Sequence, residues 1–224
     1  MKNLNKTTET MKLAFNMNCF IKNAHQLKIA AAIVMTFIFI HPGYCQETFQ
    51  ITAGNGANFG RKVITDPDGG YILTGYSQTP ANSTDISVIY LSACGEPDNN
   101  IINIGGMAAD YGYHAVWAEG IDQAKIIGET SSFGSGINDA FLVSPPSISG
   151  GSVTISTIGE NLNDIGEYVI ETSDNNLLIT GRTNSAGAGQ YDVFVAKVQY
   201  DGTMLWHTII GGNLNDRGFA AKET

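Results

Sequence analysis

Short apolar runs alternate with clusters of Gly, Asp, Asn and Ser along the chain after residue 52. Apolar runs of this length, bounded by turn-forming residues, are typical of β-strands. The clearest example starts at Gly166 and consists of GEYVIET, a turn at 173–176, LLITGRT from Leu177, a Gly-rich loop, DVFVAKV from Asp192, a turn at Asp201, and MLWHTII from Met204. This order predicts four antiparallel strands joined by short turns within about 53 residues.

The strand pattern recurs at a nearly constant period. Similar segments begin at Thr52, Ile104, Ile158 and Ile210, and their starts lie 52, 54 and 52 residues apart. Three sets of positions repeat in phase with these segments: Gly60, Gly112, Gly166 and Gly218; Gly75, Gly128 and Gly181; Asp85, Asp139 and Asp192. Self-similarity at a fixed period indicates a repeat architecture, and four antiparallel strands are the content of one β-propeller blade.

The predicted fold class is therefore all-β, with β-propeller repeats of four-stranded antiparallel blades that are incomplete in this chain. We expect blades at about 52–103, 104–157 and 158–209, and the start of a fourth at 210–224. A parallel β-helix has a shorter repeat, and an α-solenoid lacks these turn residues. Because propellers close with four to eight blades, we expect either an N-terminal piece of a longer reading frame or completion by oligomerisation.

Each repeat presents an apolar side that it cannot bury by itself. Two apolar registers recur, namely Leu73, Ile126 and Ile179 in one, and Val88, Leu142 and Val195 in the other. Stacking of one blade on the next supplies the missing cover, as in other repeat proteins. Gly75, Gly128 and Gly181 lie inside predicted strands, where glycine weakens pairing. We therefore expect a bulge or a close approach of neighbouring backbone at these glycines.

Residues 1–45 have the features of a secretory signal peptide. Five lysines precede the apolar run 29–40, and Cys45 is a small residue ahead of the favoured cleavage site at Gln46. The apolar run has 12 residues, whereas a membrane-spanning helix needs about 20. We expect a secreted or cell-surface protein with no transmembrane anchor after cleavage. The alternatives are a buried core helix and lipid attachment at Cys45, and Met17 is a more ordinary start than the first residue.

Composition and charge exclude several classes of function. The chain is 43% hydrophobic and 15% charged, with 12 Lys and Arg against 21 Asp and Glu and a formal net charge of −9. Removal of the signal peptide leaves 7 basic and 20 acidic residues, a net charge of −13, and Cys94 as the last of three cysteines. We therefore expect no nucleic-acid partner, no attraction to anionic membranes and no intrachain disulfide in the mature chain.

Two repeated sets of Asp and Asn residues are candidate ligands. The first set precedes the first repeated glycine by two residues and consists of Asn58, Asp110, Asp164 and Asp216. We interpret it as Asx-type turns that bond the local backbone, with calcium binding as the alternative. The second set opens the predicted third strands and consists of Asp85, Asp139 and Asp192. A strand-capping hydrogen bond is favoured there over a ring of carboxylates around a ligand.

The sequence assigns no catalytic, metal or cofactor site, and leaves the binding residues open. A glycosidase needs two carboxylates at a defined separation, and four glutamates without a recognisable context are available: Glu129, Glu160, Glu167 and Glu171. His114 and His207 have no partner at the spacing of zinc ligands. Among the aromatic residues, Trp117 and Trp206 are expected in the core. Phe133 and Tyr191 flank Gly-rich loops and are the better candidates for exposed rings that stack on sugars.

The repeat resembles those of a known group of proteins. Its order is GGxxxDxG, a hairpin, GYILTG, a Gly-rich loop, YDVFVAK and DGxxLW. This order is similar to the β-propeller repeats of bacterial secreted and cell-surface proteins, some of which are labelled bulb-type lectin-like or endoglucanase-like. The resemblance covers residues 52–224 and implies a propeller behind a signal peptide, in a type IX secretion context. It implies little about activity, because propellers host both binding and catalysis.

Three functions fit these observations. The leading hypothesis is an exported, non-catalytic β-propeller module for binding or adhesion, whose ligand is a polysaccharide or a cell-surface partner. The alternatives are the accessory part of a secreted polysaccharide-degrading, endoglucanase-like enzyme and a structural spacer of a surface adhesin. Glycan binding without release of reducing sugar favours the first hypothesis, and hydrolysis that depends on a single Glu favours the second. If neither result is obtained, the structural spacer remains as the hypothesis.

Overall fold

A computed structural model describes residues 58–78, 83–147 and 150–224. The predicted signal peptide and the first residues of the first repeat lie outside these ranges. Within them the chain forms twelve β-strands and one 3-10 turn, Glu119–Ile121. No helix in the described part of the chain is long and apolar enough to cross a membrane.

The strands form three four-stranded sheets, each built from consecutive strands. The first sheet contains β1 Asn58–Thr65, β2 Tyr71–Gln78, β3 Thr84–Leu91 and β4 Pro97–Ile104. The second contains β5 Asp110–Ala118, β6 Gln123–Thr130, β7 Asp139–Ser144 and β8 Thr154–Ile158. The third contains β9 Asp164–Glu171, β10 Leu177–Thr183, β11 Asp192–Val198 and β12 Met204–Ile210. All neighbouring strands are antiparallel. The all-β, repeated four-stranded architecture is therefore confirmed, and the described sheets do not close into a ring.

The first hairpin turn of each sheet contains one residue with a left-handed backbone. The φ angle is 81° at Gly69, 54° at Asp122 and 58° at Asn175. Glycine, aspartate and asparagine are the residues that tolerate this conformation best. The second sheet thus keeps the turn geometry of its neighbours although Glu119–Ile121 replaces the usual acidic-Gly-Gly sequence with a 3-10 turn.

Two apolar clusters hold the three sheets together. Consecutive residues on a strand point to opposite faces of the sheet. Ile126 lies in the cluster between the first and second sheets, and Ile127 lies in the cluster between the second and third. Leu73 shares the register of Ile126, and Val195 shares the register of Leu142. Both lie on outer faces, of the first and third sheets respectively, and both are only half-buried. The predicted stacking of each repeat on the next is present for the two junctions described.

The repeated glycines lie where backbones approach closely. An added Cβ would lie 1.8 Å from the Phe59 carbonyl oxygen at Gly75 and 1.7 Å from the Tyr111 carbonyl oxygen at Gly128. Each of these glycines sits beside an irregularity in the pairing of the first two strands of its sheet. Both parts of the sequence-based expectation, the bulge and the close approach, are therefore confirmed.

Residues 211–224 lie against the third sheet without forming a strand. The Gly218 N–H donates to the Gly181 carbonyl at 3.1 Å, and the Asp216 N–H donates to the Tyr191 carbonyl at 2.7 Å. Gly112 and Gly166 make the corresponding approach to the preceding sheets. The segment therefore lies against the third sheet as β5 lies against the first and β9 against the second, although no strand pairs with it in the described residues.

Two expectations are corrected by the structure, and the state of Cys94 bears on a third. Trp206 is 46% exposed because β12 is an edge strand, so its apolar surroundings in the sequence do not indicate burial. Phe133 packs against the first apolar cluster, 5.5 Å from the ring of Phe141, and is not a free surface ring. Cys94 is disulfide-bonded. The absence of an intrachain disulfide was expected of the mature chain, after removal of residues 1–45, and for that chain it stays a prediction.

Candidate functional site

Each sheet contains a β-bulge at the same position of its first strand. In the first sheet the pairing with β2 passes from Gly60 directly to Lys62, and in the second the pairing with β6 passes from Gly112 to His114. The third sheet shows the same irregularity between Thr180 and Gly181 of β10. The extra residues are Arg61, Tyr113 and Glu167. Bulges redirect side chains and are common next to functional sites.

The bulge residue differs between the sheets, whereas the glycine before it does not. The fold therefore requires the glycine but accepts an Arg, a Tyr or a Glu at the next position. Residues from the neighbouring strands surround the three bulges, and the whole group is named the bulge cluster. Its members are Phe59, Arg61, Tyr76, Tyr111, Tyr113, Glu129, Glu167, Arg182 and Arg217.

Aromatic rings form a continuous row through the first half of the bulge cluster. The rings of Phe59 and Tyr76 stack with centroids 4.9 Å apart, and Tyr76 meets Tyr111 edge-on at 4.9 Å. The rings of Tyr111 and Tyr113 lie nearly parallel at 6.2 Å. The Arg61 guanidinium carbon lies 5.1 Å from the Tyr113 ring centroid, within the range of a cation–π interaction. The row joins the first two sheets.

Charged side chains continue the cluster toward the third sheet. The Tyr113 hydroxyl donates a hydrogen bond of 2.7 Å to Glu129 Oε1. Glu167 Oε1 accepts from Arg182 and Arg217, each at 2.6 Å, and its side chain is only 8% exposed. Arginine paired with a buried carboxylate is a directional, charge-assisted contact. The bulge cluster therefore combines ring faces with fixed donors and acceptors.

The two carboxylates of the bulge cluster have different surroundings. Burial raises the pKa of Glu129, the Tyr113 hydrogen bond lowers it, and the negative charge of Glu167 raises it further. Burial and the charge of Glu129 also raise the pKa of Tyr113. Glu167, by contrast, is held between two guanidinium groups. Glu129 is thus placed where a negative charge is less favourable, whereas Glu167 is paired with two cations.

A second row of side chains follows the bulges by one residue. The His114 ring lies 4.0 Å from the Tyr168 ring, and the positive charge of Lys62 acts on it. Burial lowers the pKa of His114 to about 4, with Lys62 lowering it further and a hydrogen bond with the Val169 backbone opposing the shift. His114 Nδ1 is buried and has no hydrogen-bond partner among the described residues. His114 is therefore neutral near pH 7.

Replacement of Glu167 should destabilise the protein measurably. Glu167→Gln removes the charge that neutralises Arg182 and Arg217, and we expect the free energy of unfolding to fall by about 1–2 kcal/mol. Urea denaturation measures the change. Asp174→Asn is the matched control, because the Lys197–Asp174 pair is more exposed and should contribute less. An equal or smaller effect at Glu167 would contradict the assigned role of the ion pairs.

The repeated aspartates that the sequence singled out bond the local backbone. Asp110, Asp164 and Asp216 accept from the N–H four residues earlier, at 2.7, 2.8 and 2.9 Å. Asp139 and Asp192 accept from the N–H three residues earlier, at 2.9 and 3.0 Å. These bonds confirm that the five aspartates bond the local backbone, although the donors lie before each aspartate and not two residues after it, as they would in an Asx-turn. Among the described residues, no group of three or more His, Cys, Asp or Glu side chains could hold a metal ion.

The four candidate glutamates separate into different parts of the molecule. Glu129 and Glu167 meet in the bulge cluster, which the sequence did not predict. Glu160 is exposed in the loop before β9, and Glu171 accepts hydrogen bonds from the Glu119 and Gly120 backbone N–H groups. The sequence does contain a signal for the cluster. The repeated glycine is constant, whereas the residue that follows it varies between Arg61, Tyr113 and Glu167.

Comparison with known proteins assigns no family. No protein-family model matches the chain, and no curated protein sequence matches it.

Proposed function

We propose that the three sheets are blades of a β-propeller and that the protein is an exported, non-catalytic module for binding or adhesion. The bulge cluster is its ligand-binding surface, and the ligand is a polysaccharide or a glycan on a surface partner. The observation that carries this proposal is the set of three equivalent bulges with different polar side chains. Stability does not require this variation, so a recognition role accounts for it.

The chemistry of the bulge cluster supports a carbohydrate ligand. Sugars present apolar ring faces that pack on aromatic side chains, and hydroxyl groups that bond to fixed donors and acceptors. The Phe59–Tyr76–Tyr111 row supplies the rings. Glu129, together with the Glu167 ion pairs, supplies oriented polar groups. The net charge of −9 disfavours a strongly anionic ligand such as nucleic acid.

The packing supports blades of a propeller. The first strand of each following sheet packs across the preceding sheet, so that Gly112 approaches the Gly75 carbonyl and Gly166 approaches the Gly128 carbonyl. The same registers therefore meet at both junctions, as expected for units related by one repeated rotation.

Pull-down on insoluble cellulose, chitin and xylan tests the proposed function. We expect the protein to bind at least one of them without releasing reducing sugar. Tyr76→Ala combined with Tyr111→Ala should weaken binding about tenfold, since each ring contact contributes about 0.5–1.5 kcal/mol. Trp206→Ala is the control, because it removes an exposed ring from the edge strand β12. Binding that survives loss of both tyrosines, or binding to none of the three polymers, would refute the proposal.

A polysaccharide hydrolase is the second candidate, and one observation favours it. Glu129, with its raised pKa, lies close to the ion-paired Glu167. A carboxyl group with a raised pKa is suited to act as a general acid, and a second carboxylate nearby is the other group that a glycosidase needs. Release of reducing sugar that disappears in Glu129→Gln would support hydrolysis over simple binding.

A further inference from the structure

The basic residues of this acidic protein gather at one place. After residue 45 the chain has 7 basic and 20 acidic residues. Four of the basic residues lie in the bulge cluster or directly beside it, namely Arg61, Lys62, Arg182 and Arg217. The acidic members of the cluster are Glu129 and Glu167. The bulge cluster is therefore a positively charged patch on a negatively charged molecule, and such a patch attracts anionic groups locally.

The part of this patch that belongs to the first sheet has no carboxylate to neutralise it. Arg182 and Arg217 both donate to Glu167. Arg61 and Lys62, in contrast, form no ion pair with any of the residues that the structure describes. The Arg61 side chain is exposed, and Lys62 is half-buried. Two adjacent positive charges thus remain available at the bulge of β1.

Arg61 is held in a defined position at the end of the aromatic row. Its guanidinium carbon lies 5.1 Å from the Tyr113 ring centroid. An arginine that stacks on a ring keeps the N–H groups at its edge, and these can donate two parallel hydrogen bonds to a carboxylate. At the other end of the row, Phe59 is 52% exposed and offers a ring face to a sugar. The row therefore joins a site for a sugar ring to a site for a carboxylate.

We propose that the bulge cluster selects a polysaccharide that carries uronic acid units, and that Arg61 and Lys62 bind the uronate carboxylate. This inference rests on the function proposed above and adds the chemical class of the ligand. The net charge of the protein opposes a polymer with an anionic group on every unit. The ligand is therefore a mainly neutral chain with carboxylates at intervals, as in glucuronoxylan.

Glucuronoxylan, compared with the same polymer after chemical reduction of its carboxyl groups, tests the inference. Reduction converts each uronate into a neutral sugar and leaves the backbone unchanged. Titration calorimetry should show about tenfold weaker binding of the reduced polymer, because the charge-assisted contact between carboxylate and guanidinium is lost. Tyr76→Ala combined with Tyr111→Ala should weaken the binding of both polymers alike, because the rings do not distinguish them.

Charge variants localise the preference to the first-sheet bulge. Arg61→Gln combined with Lys62→Gln should lower the affinity for glucuronoxylan to the affinity for its reduced form. Arg61 is exposed, and neither residue has an ion pair among the described residues, so folding should persist. Lys197→Gln combined with Lys222→Gln is the matched control, because it removes the same charge from two lysines that are not in the bulge cluster. The control should keep the preference.

Several outcomes would overturn the inference. Equal affinity for the two xylans, or binding of cellulose or chitin but of neither xylan, would refute uronate recognition and leave the proposed function in place. Binding of no polysaccharide would refute both. An equal loss of preference in the lysine control would show a general effect of charge. Tighter binding of single-stranded DNA than of glucuronoxylan would assign the bulge cluster to nucleic acid.

Discussion

Gly128→Ala should destabilise the protein by about 3–5 kcal/mol, the largest effect that we expect from a single substitution. The added Cβ would lie 1.7 Å from the Tyr111 carbonyl oxygen and 3.1 Å from the Gly112 Cα. Neither backbone atom can move without breaking the β5–β6 pairing or the contact with the first sheet. Because the second sheet contributes to both apolar clusters, its distortion weakens both junctions. Chemical denaturation followed by far-UV circular dichroism measures the loss.

Gly212→Ala is the matched control for Gly128→Ala. An added Cβ at Gly212 meets no atom within 4 Å, and glycine-to-alanine changes at open positions reduce the entropy of the unfolded chain. The control should therefore unfold at the same or a slightly higher denaturant concentration than the wild type. A Gly128→Ala protein as stable as the Gly212→Ala protein would contradict the close approach at the bulge.

Acidification should weaken the fold through His114, the second large effect. The pKa of His114 falls from 6.5 to about 4 on folding, so the unfolded chain binds the proton more tightly. Above pH 6.5 His114 is neutral in both the folded and the unfolded chain, so its burial costs no protonation energy there. As the pH falls from 6.5 toward 4, the unfolded chain gains the proton first, and the free energy of unfolding decreases. Allowing for the partial solvent exposure of the ring, we expect a loss of about 1–2 kcal/mol between pH 7.5 and pH 5.

A His114→Gln variant separates this effect from the titration of other groups. Glutamine cannot gain a proton in this range but can still donate a hydrogen bond to the Val169 backbone. Urea midpoints at pH 7.5 and pH 5 should therefore differ less in His114→Gln than in the wild type. His207→Gln is the control, because His207 is exposed on β12. A pH dependence in His114→Gln equal to that of the wild type would assign the acid sensitivity to other residues.

The strands could be predicted from the sequence because their determinants are local. In the third repeat the predicted strands from Leu177, Asp192 and Met204 coincide with β10, β11 and β12. Alternation of apolar residues and the turn residues between runs specify such hairpins within a few positions. The registers of Ile126 and Ile179 likewise identified the faces that pack between sheets.

The bulge cluster could not be predicted in the same way, because a search for repeats emphasises positions that stay constant. Gly60, Gly112 and Gly166 were recognised as equivalent, but the residues that follow them differ and form no motif. Trp206 shows a different limit. Its neighbours in β12 are apolar, yet the alternation of residues does not reveal that the strand lies at the edge of its sheet. Exposure there depends on the number and order of strands, which are properties of the whole fold.

The position of the bulge residue next to a glycine that recurs in all three sheets separates the residue that the fold requires from the residue that it leaves open. Selection can exchange Arg61, Tyr113 or Glu167 for another side chain while the adjacent glycine preserves the geometry of the sheet. Duplication of one unit would then supply a new variable position at little cost to stability, since both junctions use the same registers. Such an arrangement would let the exposed chemistry of the sheets change faster than their architecture.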